Sequence, residues 1–133
     1  MTRYLPLAGR ILLSLIFVIS GLGKIPAWNQ TAGYMAAKGM PLVPLFLIGA
    51  ICIEVGAGLS VMLGFRAKVG AWALMVFLVP ATLIFHTFWT YPPAEQQVQM
   101  ANFLKNVSIL GGLLLVAAFG AGPVSMDARS TRS

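Results

Sequence analysis

PLFLIGAICIEVGAGLSVMLGFRAKVGAWALMVFLVPATLIFHTFW fills residues 44–89 and decides the fold. Two apolar runs, 44–64 and 69–89, flank the short basic turn FRAK at 65–68. A helix needs about 20 mostly apolar residues to cross the hydrocarbon core of a bilayer. Both runs meet that length, and the turn between them has room only for an immediate return crossing. Outward from this pair, residues 5–25 (LPLAGRILLSLIFVISGLGKI) and 103–121 supply two further runs. Pro6, Pro26, Pro41, Pro44, Pro92, Pro93 and Pro123 stand at run edges, where the missing N–H is tolerated. Pro80 lies inside the third run and is expected to kink it, because it has no N–H for the carbonyl of Val76. The expected fold class is all-α: a transmembrane up-down four-helix bundle forming one membrane domain over residues 1–133.

Composition supports this reading. The chain is 59% apolar and 9% charged, with a mean hydropathy of +0.88. Soluble domains carry about 25% charged residues, so this chain could not cover a water-facing surface. A soluble enzyme, a disordered chain and a disulfide scaffold are excluded, the last also because Cys52 is the only cysteine. The net charge of +6 is spread singly or in pairs between apolar runs. No basic stripe tracks phosphates, so nucleic acid is not an expected partner, and the lipid bilayer is. The first run has early basic residues like a secretory signal, but it is long and SGLGKIPAW after it lacks an A-x-A pattern; it is expected to be retained.

Four crossings put both termini on one side. That side carries Arg3, Arg10, Arg66, Lys68, Arg129 and Arg132, against Lys24, Lys38 and Lys105 on the other. The basic excess predicts both termini in the cytoplasm, and the expected location is a bacterial inner membrane. Residues 26–43 are either a short interfacial helix, with Trp28, Ala32, Met35 and Ala36 on one face, or an irregular loop. Residues 90–102 read as a polar loop, and the polar tail 122–133 is expected to fray. Gly56, Ser60 and Gly64, with Gly21, Gly23, Gly111 and Gly112, are expected to let helices approach closely.

The informative residues are those that lipid should not accept. A charge at mid-span costs about 2.5–3.5 kcal/mol on insertion scales, so such residues turn inward and find partners. Arg10, Lys24, Glu54, His86 and Lys105 qualify. Arg10, Ser14, Phe17, Gly21 and Lys24 fall on one stripe of the first helix. Ala50, Glu54, Ala57 and Gly58 share a face of the second. Thr82, His86 and Trp89 share one of the third. Lys105, Ser108 and Gly112 share one of the fourth, beside Asn106. Burying all four stripes predicts one internal polar cluster, reaching from the bundle centre toward the outer face. Glu54 is either protonated or paired with Arg10 or Lys105. Arg10 pairs with Glu54 or snorkels inward; Lys24 is expected to snorkel to headgroups. Lys105, read as lying in the first turn of its helix, opposes the dipole there and calls for a partner. His86 serves as a hydrogen-bonding anchor or as a ligand contact. No metal site is expected, because one histidine, one cysteine and one intramembrane acid lie on different stripes.

In order and spacing, GRILLSLIFVISGLGKI, IEVGAGLSVMLGFRAK, FHTFW and FLKNVSILGGLLLVAAFGAGPVSMD resemble the DoxX family of small membrane proteins, over roughly residues 10–127. The resemblance implies a four-helix membrane bundle and a shared polar site matching Arg10, Lys24, Glu54, His86, Lys105 and Asn106. It also implies association with oxidoreductase systems, such as the membrane part of thiosulfate:quinone oxidoreductases. The first expected function is therefore a membrane subunit of a quinone-linked redox system, acting within an oxidoreductase rather than alone. A lipid quinone would take a hydrogen bond from His86 or Lys105, with Phe85, Phe88 or Trp89 against its ring and Glu54 relaying protons. The alternative is a non-enzymatic anchor or assembly subunit of a larger complex, with a protein partner or a second copy of the chain. A small-solute carrier ranks third.

Overall fold

The computed structural model describes residues 2–132. Its principal helices are α1 (Leu5–Gly23), α2 (Trp28–Ala37), α3 (Val43–Leu63), α4 (Ala67–Phe85), α5 (Pro93–Phe119) and the short α6 (Met126–Ser130), with a 3-10 turn at Phe88–Thr90 between α4 and α5. Among the described residues there are no strands, and four helices are long and apolar enough to cross a membrane. The fold is the all-α transmembrane bundle read from the sequence.

Two boundaries differ from the expected ones. The third span stops its α-helix at Phe85, because Tyr91 precedes Pro92 and is held extended (φ −89, ψ 155), and the chain reaches it through the 3-10 turn. The fourth helix starts at Pro93, ten residues before its apolar run. Pro93 occupies a first-turn position and Glu95 complements the helix dipole, so the stretch read as a polar loop is helical. At about 1.5 Å per residue, α5 is longer than the roughly 30 Å hydrocarbon core, and its polar start can project beyond it. Residues 26–43 contain the helix α2, which turns Trp28, Ala32 and Met35 inward and leaves Ala36 exposed.

The dry core lies in the half of the bundle nearer the termini. Val61, Ala71, Leu74, Met75 and Leu113 pack there, with Phe17 and Leu78 at the border with the other half. Close helix approach depends on small residues, though not on all those expected. A Cβ on Gly21 would stand 2.8 Å from Val55 Cγ2 and 3.0 Å from Glu54 Cβ, so α1 and α3 touch there. By contrast, Gly23, Gly56 and Gly111 face open space.

The tail expected to fray is tied down through α6 at this end; Ser133 lies outside the described residues. Asp127 accepts from the Arg66 amide (2.7 Å) and the Ala67 amide (3.0 Å), capping α4, and its own amide donates to Gly64 O (2.8 Å). The cap holds Arg66 in left-handed backbone (φ 49, ψ 46), a conformation costing a non-glycine residue of order 1–3 kcal/mol. Asp127→Ala is expected to lose about 1–2 kcal/mol, read as a lower melting temperature in detergent together with faster proteolytic nicking after Gly120.

Candidate functional site

The half of the bundle away from the termini is not fully packed. It contains a partly open cavity of about 550 Å³ among α1, α2, α3, α4 and α5. Its wall is largely apolar, including Phe17, Ile53, Phe77, Leu78 and Ile109, with polar groups confined to Ser20, Lys24, Thr31, Tyr34, Glu54, His86, Lys105 and Asn106. Pro80 and Val76, whose carbonyl loses its usual i+4 donor to the proline, also line it.

Glu54 is 4% exposed. Its partner is Lys24, whose Nζ stands 2.8 Å from Oε2, close enough for a charge contact but outside hydrogen-bonding angles for that oxygen. The same ammonium donates to Ser20 Oγ at 2.8 Å. The pairing corrects two expectations: Lys24 does not leave for the headgroups, and Glu54 pairs with neither Arg10 nor Lys105. The cause is directional. Side chains on a helix lean toward its N-terminus. From just past the end of α1, Lys24 reaches back one turn to the level of Ser20 and Gly21, where the absent side chain of Gly21 lets Glu54 approach.

Arg10 lies elsewhere. It is 2% exposed and does not line the cavity. Its guanidinium donates to Val61 O (3.2 Å), Met62 O (3.0 Å) and Val124 O (2.6 Å), binding the negative C-terminal end of α3 to the tail. Gly64 makes this possible: it has positive φ (70), and a Cβ there would collide with Arg10 Nη1. The four polar stripes therefore form two clusters rather than one.

His86 caps α4 just beyond its last turn, with its amide donating to Thr82 O (3.0 Å). Its Nδ1 is 2.8 Å from Gln99 Oε1 on α5. With that oxygen accepting, Nδ1 carries the proton and Nε2 keeps a free lone pair. Asn106 Nδ2 donates to Thr82 Oγ1 (3.0 Å), which itself donates to Leu78 O (2.7 Å). Lys105 stands in the fourth turn of α5, not the first, so the dipole argument for a partner does not apply. Because the chain turns out of the helix at His86, Trp89 no longer shares its face. Trp89 is 57% exposed, packs edge-on to Phe88 and Phe103 (centroids 5.1 and 6.0 Å apart), and does not line the cavity.

Over the cavity, α2 is bolted to the end of α4. Tyr34 stacks on Phe85 at 5.2 Å. Tyr91 Oη donates to Phe85 O (2.7 Å) and accepts from Lys38 Nζ (2.6 Å) and from Tyr34 Oη (3.1 Å). Burial first, then the hydrogen bond it donates to Tyr91, pushes the Tyr34 hydroxyl up to about 12. Burial raises Tyr91 too, but the bonds from Lys38 and Tyr34 outweigh it and leave that hydroxyl below its ordinary value.

Of the residues expected at a site, Glu54, His86, Phe85, Lys105 and Asn106 line one cavity, while Arg10 and Trp89 do not. Sequence reasoning missed Tyr34, Tyr91, Lys38 and Gln99 around it. Their common signal was polarity at a span boundary, which headgroup contact explains equally well. Among the described residues no group of three or more His, Cys, Asp or Glu could hold a metal ion.

The family model described as DoxX matches residues 5–87. The chain is 37% identical to inner membrane protein YphA of Escherichia coli, over 92% of this chain and 88% of that one. It is 35% identical to inner membrane protein YqjF of the same organism, over 91% and 88%. It is also 30% identical to ER-derived vesicles protein ERV29 of Saccharomyces cerevisiae, over 93% of this chain but 33% of that longer one. No solved structure matches.

Proposed function

We propose, from the premise that the chain belongs to the DoxX family, that it is an inner-membrane subunit of a quinone-linked oxidoreductase system and that its cavity receives the head of a lipid quinone. The chain is a multi-pass membrane protein. The reading puts both termini in the cytoplasm, on the side with the six basic residues.

One observation carries the proposal: a cavity of about 550 Å³ between helices long and apolar enough to cross a membrane, apolar over most of its wall, with its few polar groups contributed from the helices around it. Small-molecule sites commonly have this character, at about 300–1,000 Å³. The residues fit a quinone head. Phe85 and Phe77 offer ring faces. His86, with Nδ1 engaged by Gln99, has Nε2 left to accept from a hydroxyl of the reduced form. Glu54, paired with the ammonium of Lys24, supplies a carboxylate that can take up and pass on a proton.

The test is direct binding. Purified protein in nanodiscs is expected to bind a short-chain ubiquinone analogue saturably. His86→Ala is expected to weaken binding of the reduced analogue, the quinol whose hydroxyl donates to Nε2, by about tenfold, the value of one well-placed hydrogen bond in a desolvated site. Absence of saturable binding, with quinone-linked respiration of the membranes unchanged by Glu54→Gln, overturns the proposal.

A further inference from the structure

We propose that the ligand of this cavity presents an anionic oxygen and that Lys105 receives it. The inference deepens the reading above and rests on it in treating the cavity as a ligand site. The argument is a count of counter-ions. The chain has three acidic residues. Glu54 is held by Lys24 at 2.8 Å. Asp127 is at the opposite end of the bundle, with its two oxygens on the amides of Arg66 and Ala67. Glu95 is exposed in the first turn of α5, ten residues before Lys105 and so roughly 15 Å away along the axis.

Lys105 lines the cavity, and among the described residues it has no ion pair and no hydrogen bond. Nothing else at the cavity can neutralise it. His86 adds positive charge or none, Asn106 is neutral, and Lys24 and Glu54 cancel each other. Lys105 is itself exposed, so the cavity carries one uncompensated cation at its edge, beside a largely apolar wall. Charges attract more strongly there than in water, and a charge-assisted hydrogen bond to an oxyanion is the strongest contact an ammonium can make. Ile109, one turn further along the same face of α5, and Ile53 across the cavity offer surface for the apolar remainder of such a molecule. The chemistry is an oxyanion head on an apolar body, as in a deprotonated hydroxyquinone or a phospholipid.

The experiment uses the full chain in phosphatidylcholine nanodiscs and three probes: a long-chain hydroxynaphthoquinone that is ionised at neutral pH, its neutral methyl ether, and dodecanoate. Wild type is expected to bind the ionised quinone at least about tenfold more tightly than the ether. Lys105→Gln is expected to bring that ratio to about one and Lys105→Arg to keep it; melting curves check that both variants fold. Equal binding of anion and ether by wild type, or a preference that survives Lys105→Gln, overturns the inference and leaves the quinone site standing. Lys105-dependent binding of dodecanoate without either quinone upholds the inference and removes the quinone reading. Failure of all three probes overturns both. Repeating the titration in phosphatidylglycerol nanodiscs separates the sources. A Lys105-dependent loss of probe affinity supports a lipid phosphate as the resident anion, and an unchanged affinity supports a free amphiphile.

Discussion

Lys24→Met is expected to destabilise the protein by about 3–5 kcal/mol, the cost of removing one member of a buried ion pair and leaving the other charge uncompensated. Glu54 is nearly inaccessible, and Lys24 is its one ionic partner among the described residues. Glu54→Leu alone is expected to cost less. Lys24 is at the end of α1, with a partly exposed side chain, and can turn toward headgroups once released. The double variant Lys24→Met with Glu54→Leu is expected to recover most of the loss, because a hydrophobic pair of similar volume can replace a buried ion pair at little cost. Thermal or denaturant unfolding of all four proteins in one detergent gives the double-mutant cycle. A coupling energy near zero would show that the contact does not stabilise the fold.

Arg10→Leu is the second large effect, about 3 kcal/mol or more, by a different route. No carboxylate bonds to Arg10; what would be orphaned are the carbonyls of Met62 and Val124, which accept from the guanidinium, while Val61 O keeps the Gly64 amide (3.2 Å). A buried carbonyl without a donor costs about 1–3 kcal/mol. Arg10→Lys is expected to recover only part of this, since a single ammonium cannot span two helix-end carbonyls and a third from the tail as a planar fork does. Besides the drop in melting temperature, the C-terminal segment should become accessible to protease while ligand binding in the cavity, at the other end of the bundle, persists. If binding fails along with tail protection at a temperature where the protein is folded, the two polar clusters are coupled after all.

The parts of the fold legible in the sequence are those governed by helical period and span length. The stripe Arg10, Ser14, Phe17 and Gly21 is the buried face of α1, and Glu54 and Gly58 lie on that of α3. Apolarity marks where a helix crosses lipid but not where it stops. Hence the polar start of α5 reads as a loop, and the early end of α4, before the bend into Tyr91 and Pro92, leaves no mark in the apolar pattern. With α4 continued as an unbroken helix, Trp89 falls beside His86; the bend separates them. Partner choice was less legible still, because it depends on which way a long side chain leans. Lys24 points back into the bundle, whereas the Arg10 guanidinium reaches the carbonyls at the end of α3. Depth along the axis, the quantity a sequence offers, does not contain that direction.

The clasp between Asp127 and the α3–α4 turn has a consequence for biosynthesis. The carboxylate that caps Arg66 belongs to a residue 61 positions later in the chain. At about 5–20 residues per second on the ribosome, that turn waits roughly 3–12 s for its cap after it has been made. During this interval the first three spans can enter the bilayer with Arg66 free to relax out of its left-handed conformation. Closure of the α3–α4 turn thus follows synthesis of the fourth span, when Asp127 becomes available.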